Sequence, residues 1–146
     1  MSQENVEVVR RAFEAFNRWG VHPGGGRSSE ITPLLHPEIE FHTNASVPEA
    51  GVYRGREAVI GYHRRVFGQF ESVGIEVEEL LSAGDAVVVT SRQHTVPRGR
   101  KGEIVQRVVE VWTVRDGLLA VRKPFSTRAE ALEAVGLSEQ DAHIDT

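Results

Sequence analysis

Four times in succession, between residues 75 and 125, the chain alternates. Residues 75–81, 85–96, 104–115 and 118–125 read with period two, the repeat of a strand whose side chains point to opposite faces. Their junctions carry turn signals: Ser82-Ala83-Gly84-Asp85, then Pro97-Arg98-Gly99-Arg100-Lys101-Gly102, then Arg115-Asp116-Gly117. Consecutive strands on short connections make an antiparallel meander. The strongest constraint is that these strands are apolar on both faces. In 104–114, one face carries Ile104, Val108, Trp112 and Val114, and the other Val105, Val109 and Val111. Ala86 and Val88 oppose Val87 and Val89 in the same way. Such a sheet must be covered on both sides.

Helices supply one cover. Val6, Val9, Phe13 and Phe16 recur at spacings of three and four, with Ala12 and Trp19 widening the stripe, and Gly20 followed by the glycine-rich segment 22–29 stops this first helix. A short helical turn over about 29–35 opens either at Ser29 or at Thr32, with Pro33 in its first position. Glu38-Ile39-Glu40-Phe41-His42 is extended, 44–50 is loop, and a second long helix follows Gly55 with Val59, Tyr62, Val66 and Phe70 on one stripe, flanked by Ala58 and Phe67. A last helix starts at Thr127 with Glu130 three residues on, the spelling of a capping box, and ends near Gly136. Residues 138–146 and Gly24-Gly25-Gly26 lack apolar anchors and are expected to be mobile. Three helices cover one sheet face and leave too little chain for the other, which predicts a homodimer through that outer face.

Composition narrows the partners. A chain of 146 residues suits one domain, here 1–137 with a tail at 138–146. Without cysteine there is no disulfide, no thiol nucleophile and no thiolate metal site. Seventeen Lys and Arg against 21 Asp and Glu argue against a nucleic-acid binder. The apolar runs fall far short of the roughly 18 residues of a membrane span, and the polar start is unlike a signal peptide, so no membrane partner and a cytoplasmic location are expected. No His-Glu-x-x-His, Gly-x-Gly-x-x-Gly or phosphate-loop string occurs, so neither a metal nor a cofactor is expected.

The order of elements, with Leu35-His36-Pro37-Glu38-Ile39-Glu40-Phe41, Tyr53-Arg54-Gly55-Arg56-Glu57-Ala58-Val59 and Val111-Trp112-Thr113-Val114-Arg115-Asp116-Gly117, resembles the SnoaL-like branch of the nuclear-transport-factor-2-like superfamily. The resemblance spans about residues 4–136. It implies an α+β fold, a cone of curved mixed sheet closed by helices around a ligand cavity, commonly paired across the convex sheet face. Relatives include steroid-isomerase-like enzymes, polyketide cyclases, epoxide hydrolases and many members without known catalysis. A fold of this kind licenses a pocket and not a reaction.

Two titratable residues are candidates for chemistry. His42 ends the first strand and can exchange a proton near neutrality; the resemblance places a proton-shuttling carboxylate at this position. Glu110 is in phase with Val108 and Trp112, where an apolar cavity would favour a neutral acid that donates to a ligand oxygen. The resemblance places an oxyanion-stabilising acid there, while the usual tyrosine donor on the first helix is replaced by Phe13. The structural alternatives are a strand-end hydrogen bond for His42 and a salt bridge to a neighbouring-strand arginine, such as Arg92, for Glu110. Phe13, Phe16, Tyr62, Phe67, Arg92 and Trp112 are the candidate ligand-binding residues. Arg92 and His94 share one strand face and Ser91 and Gln93 the other, and parity alone does not say which pair reaches a cavity. Two readings follow: a protein that binds a small, mostly apolar or amphipathic molecule, with isomerase, cyclase or hydrolase chemistry by His42 and Glu110, or a non-catalytic binding or structural dimer.

Overall fold

A computed structural model describes residues 2–23, 27–45, 47 and 49–140. Of the segments expected to be mobile, residues 24–26 and 141–146 lie outside the described residues. Helix α1 (Ser2–Val21) is followed by α2 (Ser28–Ile31) and a 3-10 turn at Thr32–Leu34, so the two expected openings of the short helix mark two consecutive pieces. Strand β1 (Leu35–His42), β2 (Val52–Arg54) and α3 (Arg56–Phe67) come next. The alternating runs become β3 (Phe70–Ala83), β4 (Ala86–Pro97), β5 (Ile104–Arg115) and β6 (Leu118–Phe125), and α4 (Arg128–Ala134) closes the described chain.

The six strands form one mixed sheet in the order β2-β1-β6-β5-β4-β3. β3 to β6 are the antiparallel meander, and β1 joins it by pairing parallel to β6. The β5–β6 hairpin turns on Asp116 and Gly117, with φ of 55° and 73°, the left-handed pair that matches strand twist. The capping box at α4 is complete: Thr127 accepts from the Glu130 amide, and the Glu130 carboxylate accepts from the Thr127 amide.

On the inner face, Val87, Val89, Trp112 and Val114 pack with Val9, Phe13, Phe16 and Trp19 of α1 and with Val59 and Phe67 of α3. Gly20 does not end α1, which continues to Val21. It is small because α1 crosses β3 there: a Cβ at Gly20 would stand 2.2 Å from the Val73 carbonyl oxygen. Asn17 fixes the same crossing, its Oδ1 accepting from the Ile75 amide at 3.0 Å.

The outer face differs from the expectation that no chain remains to cover it. Leu81, Ala86, Val88, Val109 and Val111 form a second core with Ala131 and Leu132 of α4. The last helix therefore lies behind the sheet, opposite α1 and α3. Beyond its reach the outer face is charged, with Arg92 and Arg107 paired to Glu78. Val105 is left exposed on that side. Among the described residues no helix is long and apolar enough to cross a membrane.

Candidate functional site

α3 stands over the inner face and is tied to β1 at its start. The Gly55 amide donates to the Ile39 carbonyl at 2.8 Å, and Arg56 Nε donates to the Leu35 carbonyl at 2.7 Å. This places Tyr62, His63, Val66 and Phe67 above Phe41 of β1 and the far ends of β4 and β5. Between them lies a cavity of about 260 Å³. Its walls are aromatic and aliphatic, with Phe41, Tyr62, Phe67 and Phe70 around Val73 and Val108. Gln93, Thr95 and Gln106 contribute polar groups, and Asn44 and Glu49 come from the segment after β1.

His63 and Arg122 are the two polar residues of this cavity that are also buried. His63 is ringed by Phe41, Phe16, Tyr62 and Phe67, with centroid separations of 4.7, 5.0, 5.4 and 5.6 Å. Its Nδ1 is 2.8 Å from the Val59 carbonyl oxygen, one helical turn back. A carbonyl only accepts, so Nδ1 carries the proton and Nε2 presents a lone pair. Burial pushes the imidazole pKa down to about 4, the Val59 bond opposing that shift and the Arg122 charge adding to it. Burial also raises the Tyr62 phenol above its ordinary value. Both side chains are neutral at pH 7.

Arg122 Nε donates to Glu110 Oε1 at 2.9 Å, Nη1 donates to the His42 carbonyl at 2.8 Å, and its Cζ lies 4.8 Å from the Phe41 ring centre. The pair is almost wholly out of water, with side-chain exposures of 8% and 4%. Trp112 Nε1 donates to the same Glu110 oxygen at 2.8 Å. Glu110 therefore serves as an acceptor for protein donors, where a neutral acid donating to a ligand was expected. The arginine on a neighbouring strand is Arg122 of β6, and not Arg92.

The remaining candidates divide. Tyr62 and Phe67 line the cavity; Phe13, Phe16 and Trp112 are packed in the core around it. Strand alternation puts Phe41 inward and the His42 side chain outward, where Nε2 is 3.1 Å from Glu40 Oε1, beside a hollow formed with Lys123 and Phe125. His42 and Glu110 are thus linked only through the guanidinium of Arg122, via a backbone carbonyl at one end. Arg92 does not line the cavity: it stands on the outer face, 3.3 Å from Glu78. Its companion His94 is held between Glu103 and Glu76, whose hydrogen bonds raise its pKa. Of the other pair, Gln93 lines the cavity and Ser91 is buried with its hydroxyl unpartnered.

His63 and Arg122 were not among the candidates. His63 had a signal, since it falls at i+4 from Val59 and i−4 from Phe67, a polar residue on an apolar stripe. Arg122 had none. The ladder shifts register between Thr113 and Val114, so Leu119 and Arg122, three residues apart, both face inward.

The profile of the SnoaL-like domain family matches residues 9–122. No curated protein matches the chain significantly. Among solved structures, Bal32a from a soil-derived mobile gene cassette is 22% identical, with 85% of this chain and 89% of that chain covered and a TM-score of 0.72. TerC, co-crystallised with polyporic acid, is 18% identical over 90% of this chain and 97% of its own, at a TM-score of 0.70. A protein with a ketosteroid isomerase-like fold from Catenulispora acidiphila DSM 44928, in complex with trimethylamine, is 17% identical over 90% and 93%, at 0.65. At these identities the likeness is one of fold.

Proposed function

The chain belongs to the SnoaL-like domain family, and from that premise we propose that it binds a small, mostly apolar molecule in the cavity beneath α3. The observation that carries this is the cavity of about 260 Å³, walled on one side by Phe41, Tyr62, Phe67 and Phe70, with Gln93, Thr95 and Gln106 adding polar groups from the sheet. Two proteins of the same fold hold small molecules, polyporic acid in one and trimethylamine in the other, which supports the reading. Acid–base turnover by His42 and Glu110 as an opposed pair is not part of the proposal. His42 is turned away from the cavity, and Glu110 is occupied by Arg122 and Trp112. Binding without turnover by that pair is the reading the geometry favours.

The test is ligand-induced stabilisation. A molecule that binds only the folded chain raises its melting temperature with concentration. A panel of small aromatic and alicyclic compounds should contain some that shift the wild type and lose that shift in Val108→Trp, where the new ring occupies the cavity. Equal shifts in both proteins would place binding elsewhere and end the proposal.

The homodimer across the outer sheet face also stays a proposal. Its support is the exposed Val105 set among charges of both signs, Arg107 and Glu78 with Glu103 and His94. A two-fold axis there can bring opposite charges together.

A further inference from the structure

We propose that His63 Nε2 is the specificity-determining acceptor of the cavity, and that it selects neutral molecules bearing a hydroxyl on an aromatic ring. This rests on the cavity reading above and names the ligand class.

The argument starts from the tautomer. Val59 holds the Nδ1 proton, so Nε2 can only accept. Among the described residues no protein donor is within hydrogen-bond reach of Nε2. The wholly enclosed polar side-chain atoms without a partner are Thr90 Oγ1 and Ser91 Oγ, and Nε2 is not among them. His63 lines the cavity and its Nε2 is not wholly enclosed, from which we infer that Nε2 is the atom it offers to the contents. An acceptor in an apolar enclosure gains from a donor that displaces water there, and an apolar guest leaves it unpaired. The Val59 hydrogen bond at Nδ1 and a pKa pushed down to about 4 by burial keep Nε2 an acceptor throughout the physiological range.

The rest of the wall sets the body of the ligand and its charge. Phe41, Tyr62 and Phe67 present faces and edges to a flat guest. The formally charged cavity residues are Arg122 and Glu49, and both are already answered, Arg122 by Glu110 and Glu49 by Arg65. An anion would find no unspent positive charge and a cation no unspent carboxylate, while either loses its hydration. A neutral phenol-type hydroxyl meets all three conditions.

Three probes test this: 2-naphthol, naphthalene and 2-naphthoate, with binding measured by titration and the imidazole nitrogens of 15N-labelled protein observed by NMR. In the wild type, 2-naphthol should bind roughly tenfold more tightly than naphthalene, the span of one net hydrogen bond, and 2-naphthoate more weakly than 2-naphthol. The Nε2 resonance of His63 should lie upfield in the 2-naphthol complex and downfield in the naphthalene complex, where the nitrogen has lost its water without gaining a donor. In His63→Phe the two affinities should converge with naphthalene binding retained. Equal binding of 2-naphthol and naphthalene to the wild type, the same Nε2 position in both complexes, or a preference that survives His63→Phe overturns the proposal and leaves the cavity reading standing. The wild-type nitrogen signal decides the matter if His63→Phe does not fold. If no probe binds, both the proposal and the cavity reading for aromatic guests fail.

Discussion

Glu110 and Arg122 form a buried ion pair across β5 and β6, Oε1 to Nε at 2.9 Å, at the point where the core meets the cavity wall. The same carboxylate oxygen accepts from the Trp112 indole N–H, so two side chains depend on one acceptor. Removing one charge strands the other in a medium that does not hydrate it. Glu110→Gln is expected to cost about 3 kcal/mol of unfolding free energy. The double variant Glu110→Gln, Arg122→Met should recover much of that loss, because no unpaired charge remains. Urea unfolding at pH 7 measures both. A single variant within about 0.5 kcal/mol of wild type would show that water reaches the pair.

His63 makes stability depend on pH in a defined window. Its pKa falls from 6.5 in the unfolded chain to about 4 in the fold, chiefly through burial. Between those values the unfolded state binds more protons, so stability falls as pH drops from 6.5 to 4 and is fully present above 6.5. The groups facing the ring are aromatic apart from the Val59 carbonyl and Arg122, and no carboxylate among them compensates the imidazolium. The span of the effect is about 3 kcal/mol. Denaturation midpoints followed from pH 7 to pH 4 should decline more steeply in the wild type than in His63→Phe. Parallel curves would contradict it.

Gly20 offers a test in which local and tertiary preferences oppose each other. Within a helix, Gly→Ala gains up to about 1 kcal/mol of propensity. Here the added methyl meets the Val73 carbonyl oxygen at 2.2 Å, and backbone must move. Gly20→Ala is therefore expected to destabilise by about 2 kcal/mol. A stabilised variant would mean that α1 can lift from β3 at little cost.

For the dimer, light scattering should report twice the 16.2 kDa chain mass. Val105→Asp should return the single-chain mass and remove any dependence of the melting temperature on protein concentration, because Val105 is 49% exposed in the single chain and its loss falls on the interface. Val109 is the wrong residue for that experiment. It is packed with Leu132 under α4, and an aspartate there would damage the chain itself.

The sheet was legible because its strands are long enough to show a period. The twelve residues of β5 are enough to sort side chains onto two faces, whereas the three of β2 are not, and β2 goes unread. Helix α3 was visible for the same reason as β5. Where the periodic argument failed, a register shift or a tertiary choice intervened. Alternation read through β6 hides Arg122, since the irregularity beside Val114 turns it inward. The apolar outer face was seen, but the part of it that α4 covers was not, because nothing in the seven residues of α4 says which side of the sheet they take. His42 was chosen for its chemistry and His63 passed over for its packing. Phase against neighbouring aromatics ranks them in the opposite order.

The parallel pairing of β1 with β6 also orders events in time. β3 to β6 pair with their sequence neighbours and can zip by short loop closures, but β1 and the β2 beside it find their place only when β6 exists. Phe41 and Arg122, register partners in that pairing, are both walls of the cavity. A nascent chain has therefore to synthesise all six strands before the enclosure can close.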